Sequence, residues 1–222
     1  IDLKVGNGTF MKTLKNAKEL AKGLKKIGKA FNINTEILYT NMDQPLGKYA
    51  GLHCEIIEAM DCLKGNGPKD LMEITFELGS KILLQSNIVK SNQTAKKLML
   101  ESINNENALN KFKEIIFAQN GDIKYLDSAH IISKNEIIIE SEGNGFIDCI
   151  DTEKIGWTLV EMGCGRKIAK NQLDYTAGIE FIKKMGDKVK KGDPIYRIFG
   201  NNNKRLNNAK TMLKKTYTLV KT

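Results

Sequence analysis

Two stretches of this sequence put chemistry-bearing residues on turns that a ligand could reach. The first is Gly6-Asn7-Gly8-Thr9-Phe10, between the apolar run Ile1–Val5 and a helical pattern that begins at Leu14. Main-chain N–H groups in such a turn can meet an anion, and Phe10 is a flat ring that either stacks on a planar ligand or enters the core. The stretch is not a dinucleotide fingerprint, because Met11 stands at the third glycine position, and not a Walker loop, because no Gly-Lys-Ser/Thr follows. The second stretch is Met42-Asp43-Gln44-Pro45-Leu46-Gly47, running on through Gly51 into a helix that carries Glu55 and Glu58. A turn whose carbonyls face a helical carboxylate can hold a hard cation, and one carboxylate among neutral carbonyls suits a monovalent ion. The competing reading places Glu55 and Glu58 on a solvated helix face.

A third stretch, Gly178–Phe199, contains Gly186-Asp187 and Gly192-Asp193-Pro194, which is hairpin chemistry with two turns around a short strand. Swinging-arm carrier domains have similar turns, but their modifiable Lys stands well before this element. Here Lys183-Lys184-Met185 abuts the first Gly-Asp, so the spacing does not fit a carrier. Cys54, Cys62, Cys149 and Cys164 form no Cys-x-x-Cys pair and have no His at metal-ligand spacing, so they read as reduced core thiols. His53 reads as a structural, hydrogen-bonded residue, and with only His130 besides it a zinc site is not expected.

The elements that must position these turns follow from periodicity. Ile1–Val5 reads as a strand. Leu14, Ala17, Leu20, Ala21, Leu24, Ile27 and Phe31 trace one helical face, with Thr13 as its N-cap. Thr35–Thr40 reads as a second, buried strand, giving a βαβ unit with a parallel pair. Helices are expected over about 52–64, 69–85, 92–103 and 106–119, with Ser91 capping the third and Gly121 closing the fourth. From Leu126 the texture changes. Strands are expected at Glu136–Glu140 and Gly145–Ile150, a short helix at Ile155–Met162, further β structure, and a final helix near 204–217. The expected fold is therefore α/β, a partial sheet with flanking helices over 1–125, followed over 126–222 by a C-terminal α+β domain with a barrel-sandwich-like β element.

Composition bounds the function. The chain has 222 residues, 41% hydrophobic and 27% charged, as in a globular protein. No apolar run approaches the ~20 residues that a membrane span needs. A net charge of +9 invites nucleic acid, yet among 35 basic residues the Arg are Arg166, Arg197 and Arg205, the rest being Lys interspersed with acids. Bidentate recognition of bases and phosphates favours Arg, so the excess reads as a solvated Lys-rich surface.

Taken in order, DLKVGNGTFMKT, NMDQPLGKYAG with EIIEA after it, KGNGPKDL, and the series EGNGFI, MGCGR, DYTAGI and GDKVKKGDPI resemble thymidine phosphorylase and its relative pyrimidine-nucleoside phosphorylase. The first two motifs are the specific ones, and the resemblance runs through essentially all 222 residues. It implies a pentosyltransferase of nucleoside salvage that reversibly splits thymidine- or uridine-type nucleosides with phosphate, giving free base and (deoxy)ribose 1-phosphate. It further implies inorganic phosphate as co-substrate, a potassium ion, no organic cofactor, a cytoplasmic homodimer, and neither nucleic-acid nor membrane partners. Residue 1 is Ile, and IDLKV reads as a strand already under way, so the chain is expected to be the C-terminal portion of such an enzyme. The family's residues that grip phosphate and base fall upstream of that point. No catalytic residue carries over, and this chain alone is expected to be inactive.

Four further positions, besides Leu52 below, follow from the resemblance. Phe10 matches the aromatic that lines the base pocket, and 1–125 the C-terminal part of the α/β phosphate- and nucleoside-binding domain. The family's potassium ligands, two loop carbonyls and a helical carboxylate, fall on Leu46, Tyr49 and Glu58. Tyr49 and Leu52 depart from the usual residues. A carbonyl ligand tolerates a changed side chain, whereas Leu52 replaces a polar residue and removes a local bond. The alternative to an enzyme is a carrier-like or scaffold module of the same fold.

Overall fold

The structure, a computed structural model, describes residues 1–126, 133 and 135–221, with backbone alone at 125 and 126. His130 lies outside the described residues. The chain opens with β1 (Asp2–Val5), α1 (Leu14–Ala30) and β2 (Leu38–Asn41). Thr13 caps α1 by accepting from the Asn16 N–H at 3.3 Å. The helix lays Ala17 and Ala21 on Leu3, the small residues letting helix and strand approach closely. β1 and β2 pair in parallel, Leu3 beside Tyr39 and Val5 beside Asn41. β2 begins later than the apolar run predicts. The chain returns across the end of α1 so tightly that a Cβ on Gly28 would lie 2.8 Å from the Ile33 carbonyl, and only from Leu38 does it run clear enough to pair.

Four helices follow, α2 (His53–Leu63), α3 (Lys69–Gln85), α4 (Asn92–Asn104) and α5 (Asn107–Ala118), close to the expected spans. Ser91 accepts from Thr94 N–H at 3.1 Å to cap α4. At the end of α5 the left-handed residue is Asn120, at φ 59°, and not Gly121. Gly121 instead supplies the outer closing bond, N–H to the Ile116 carbonyl at 2.9 Å, while Asn120 bonds Phe117 at 3.0 Å. That is a Schellman closure in which Asn tolerates the αL position.

The remainder comprises β4 (Glu136–Glu140), β5 (Gly145–Ile150), α6 (Thr152–Met162), β6 (Gly178–Phe181), β7 (Lys188–Val189), β8 (Pro194–Phe199), α7 (Asn203–Leu213) and β9 (Tyr217–Val220). The last helix stops at Leu213, short of the expected 217. Tyr217–Val220 instead forms a strand against β5, because an aromatic and β-branched run gains more from a ladder than from another helical turn. β3 (Tyr49–Gly51), unforeseen in the sequence, pairs antiparallel with β6 and forms the edge of a four-stranded sheet in the order β3-β6-β8-β4. That sheet draws strands from both sides of residue 125.

A second sheet has the order β7-β5-β9. The two Gly-Asp turns send β7 and β8 to different sheets, so among the described residues the sheets are open and no closed barrel forms. Asp187 accepts from Lys184 N–H and Asp193 from Lys190 N–H, each at 2.8 Å, which makes the two turns copies of one another. Between the sheets and α6 and α7 lies the main core, built on Ile139, Ile150, Ile179, Tyr196, Ile198 and Leu213. The molecule is thus mixed α/β, with seven helices among its described residues, none of them long and apolar enough to cross a membrane.

Candidate functional site

The turn after β1 is fixed by Asn7. Its amide group donates to the Ile150 carbonyl at 2.9 Å and accepts from the Thr152 N–H at 2.9 Å and from the Thr152 hydroxyl. Its own N–H donates to Asp43 at 2.8 Å. Gly6 sits at φ 136°, and a Cβ there would meet the Asp43 main chain at 2.8 Å, so glycine is required. With Asn7 turned inward, Phe10 is turned out. The ring is 97% exposed, which excludes the core reading. Phe10, Gly8, Thr9, Lys12 and Glu153 line a cleft of about 350 Å³. Lys12 is anchored by the Asn7 carbonyl at 2.6 Å and Glu153 at 2.8 Å.

The second candidate lies under the Pro45–Tyr49 loop. Glu58 occupies the second turn of α2, where an exposed turn was expected. The residue is buried, with 6% of its surface exposed. The reason is the loop itself, which folds back over α2. Gly47, at φ 73°, lies so close that a Cβ would come 2.4 Å from Glu58 Oε2, while Lys48 N–H donates to Glu58 Oε1 at 2.6 Å. Burial pushes the Glu58 carboxyl up, and the main-chain N–H groups of Lys48 and Tyr49 offset that only in part. No Lys or Arg ion pair reaches it among the described residues. Leu46 and Tyr49 are half-buried in the same loop, and the groups it sets on the Glu58 carboxylate are the main-chain N–H groups of Lys48 and Tyr49. Glu55 behaves otherwise: it is exposed and accepts from Gly51 N–H at 2.8 Å. That bond ties the end of β3 to the first turn of α2, whose N-cap Leu52 makes no side-chain bond. His53 stacks on Tyr175, centroids 5.3 Å apart, and uses its backbone N–H on the Tyr175 carbonyl.

Sequence reading missed what grips this loop from outside. Asp70, at the start of α3, accepts from Gly47 N–H at 3.3 Å and from Lys184. Partial burial pushes the Asp70 carboxyl up, but Lys184 and the N–H groups of Leu71 and Gly47 hold it below the ordinary value. Gln44 accepts from Met185 N–H at 3.2 Å. Glu180 receives Lys48 at 2.8 Å and the Arg197 guanidinium. Together they line a cleft of about 830 Å³ between the loop and the Gly186 turn. The signal available was KGNGPKDL, whose Asp follows Gly-Pro at a helix start, but nothing in it specifies Lys184. Because Lys184 is engaged with Asp70, it is not a free swinging-arm lysine. Burial pushes the Cys54 and Cys164 thiols up to about 12; Cys149, expected in the core, is exposed because β5 turns that position to solvent.

Open α/β sheets take small ligands at the carboxyl ends of parallel strands, and the Phe10 turn stands at such an end. By fold and site the chain is an α/β unit of that class. Residues 146–220 match the family model described as the pyrimidine nucleoside phosphorylase C-terminal domain. Pyrimidine-nucleoside phosphorylase of Staphylococcus haemolyticus (strain JCSC1435) is 35% identical over 203 residues, 90% of this chain and 47% of the relative. The enzymes of that name from Staphylococcus aureus strains USA300 and NCTC 8325 are 36% identical over the same shares. The chain belongs to the pyrimidine-nucleoside phosphorylase family, of which it carries the C-terminal portion. It spans about half the length of the curated relatives it matches.

Proposed function

We propose that this chain supplies the base-facing wall and a cation loop of a pyrimidine-nucleoside phosphorylase. The reaction would be reversible phosphorolysis of thymidine- or uridine-type nucleosides. An oxygen of inorganic phosphate bonds the anomeric carbon as the bond to the pyrimidine nitrogen breaks. The base leaves with the electron pair and takes a proton, and the sugar becomes (deoxy)ribose 1-phosphate. The observation that carries this reading is Phe10, a ring held out into a cleft at the carboxyl end of β1 while Asn7 pins the turn behind it. A flat ring with free faces offers stacking of ~1 kcal/mol to a pyrimidine. Lys12, paired with Glu153, lines the same cleft. Phosphate- and sugar-gripping groups would come from the part of the family fold that this chain does not match, so the chain alone is inactive.

A potassium ion at the Pro45–Tyr49 loop follows the family resemblance, and it is supported by the buried Glu58 carboxylate, which has no Lys or Arg ion pair among the described residues. Leu46 and Tyr49 carbonyls with Glu58 would hold it, and the ion would supply a fixed positive charge that fastens the loop to α2. The whole enzyme would work as a cytoplasmic homodimer. The test is co-expression of this chain with the unmatched half of the Staphylococcus haemolyticus relative, followed by release of uracil or thymine from nucleoside and phosphate. Phosphate-dependent release by the pair, and none by this chain alone, is the expected result. Release by this chain alone, or none by a well-formed pair, overturns the reading.

A further inference from the structure

α1 carries Lys15, Lys18, Lys22, Lys25, Lys26 and Lys29, with Glu19 as its one acid. Lys15, Lys18, Lys22, Lys25 and Lys29 follow one another at steps of three and four residues, so they stand in a row about 21 Å long on the helix surface. All six lysines are exposed. Among the described residues only Lys25 of the six meets an acid, Glu36 at 4.0 Å. The later helices are built differently. Lys69 has Glu73 one turn on, Lys97 has Glu101 and Lys111 has Glu114, so these lysines are matched within their own helices. Like charges at such steps weaken a helix, and α1 bears that cost along most of its length.

The direction of the row is fixed by what α1 buries, which is Ala17, Ala21 and Gly28. At about 100° per residue the six lysines fill an arc of about 100°, turned about 120° from that stripe. Leu20 and Ile27, both exposed, fall on the opposite flank. Whatever covers that apolar flank leaves the lysines in water. The make-up of the row then selects its partner. A lysine is a point charge without a fixed fork, and the Arg of the chain are Arg166, Arg197 and Arg205, none of them in α1. α1 contains no aromatic ring on which a base could stack. A convex helix face also offers no pocket for the side chains of an acidic peptide. A bilayer with anionic headgroups needs none of these. It presents diffuse negative charge that draws clusters of about four to eight basic residues, each worth about fivefold in partitioning.

We propose that the lysine face of α1 attaches the protein to an anionic membrane surface. The contact is peripheral, because among the described residues no helix is long and apolar enough to cross a membrane, and the buried stripe of α1 is spent on Leu3. It goes beyond the family resemblance, which implies no membrane partner, and it does not depend on phosphorolysis. The test is co-sedimentation of this chain with vesicles of phosphatidylglycerol and phosphatidylcholine in equal parts, and with vesicles of phosphatidylcholine alone. Binding to the anionic vesicles only is expected. It should fall by about tenfold or more as salt rises from about 0.1 M to about 1 M, which shortens the Debye length from about 10 Å to about 3 Å. Lys18→Gln with Lys22→Gln, both exposed and both keeping a good helix former, should lower partitioning by at least about tenfold. Lys97→Gln with Lys111→Gln removes the same charge away from the row and should lower it by no more than about twofold. No binding at low salt, binding indifferent to salt, equal losses in the two double variants, or tighter binding to duplex DNA at equal phosphate would each overturn the membrane reading.

Discussion

Asn7 and Thr152 are 145 residues apart, and the Thr152 N–H donates to the Asn7 side-chain oxygen at 2.9 Å. This contact joins the turn after the first strand to the first residue of α6. Replacing Asn7 with Ala would leave the Ile150 carbonyl and the Thr152 N–H without partners. A loss of ~1–3 kcal/mol is expected from unfolding in urea. Asn7→Asp keeps the acceptor for Thr152 but sets a carboxylate oxygen against the Ile150 carbonyl, so it should cost at least as much.

Phe10→Ala is expected to leave the stability of this chain within about ±0.5 kcal/mol, because the ring buries almost nothing. In the co-expressed pair it should raise the KM for nucleoside by about three- to tenfold, the loss of one stacking contact. Calorimetry and initial rates check the two halves of the expectation. A collapse in Tm with an unchanged KM would return the ring to a structural role.

Glu58→Gln keeps an acceptor for Lys48 N–H but removes the charge. Potassium dependence of the paired enzyme should weaken, with partial rescue at high potassium chloride and none at equal sodium chloride. Glu55→Gln, exposed and bonded only to Gly51 N–H, should change little. Equal potassium curves for wild type and Glu58→Gln would remove the ion from this loop.

Glu180 sets an acid limit. Burial alone would push its carboxyl up, but Lys48 and Arg197 hold it below the ordinary carboxylate value. A depressed folded-state value means that the contribution is complete above the unfolded value of about 4.3 and is lost as pH falls through the lower, folded one. Stability measured in urea should therefore fall with pH below about 5. Glu180→Gln should be less stable at pH 7 and show a flatter acid slope. Asp70, held down by Lys184, acts in the same direction.

What the sequence determined by itself was the local and periodic part. Thr13 capping α1, Ser91 capping α4, and the spans of α2 to α5 follow from side chains reaching their own backbone and from apolar spacing, interactions closed within a few residues. The glycine turn and the Pro-Gly loop were legible for the same reason, and so was the family, which the order of motifs carries. Tertiary structure decided everything that depends on a distant partner. β3 and β9 are three- and four-residue runs that become strands only because β6 and β5 offer free ladder groups. Phe10 could have entered the core; it is outside because Asn7 spends its side chain on Ile150 and Thr152. Glu58 reads as a surface acid from helical position alone, and it is buried because Gly47, with no Cβ, lets the loop close over it. Asp70 and Lys184, 114 residues apart, have no local signal at all, since an ion pair across the fold leaves no period or spacing in the chain.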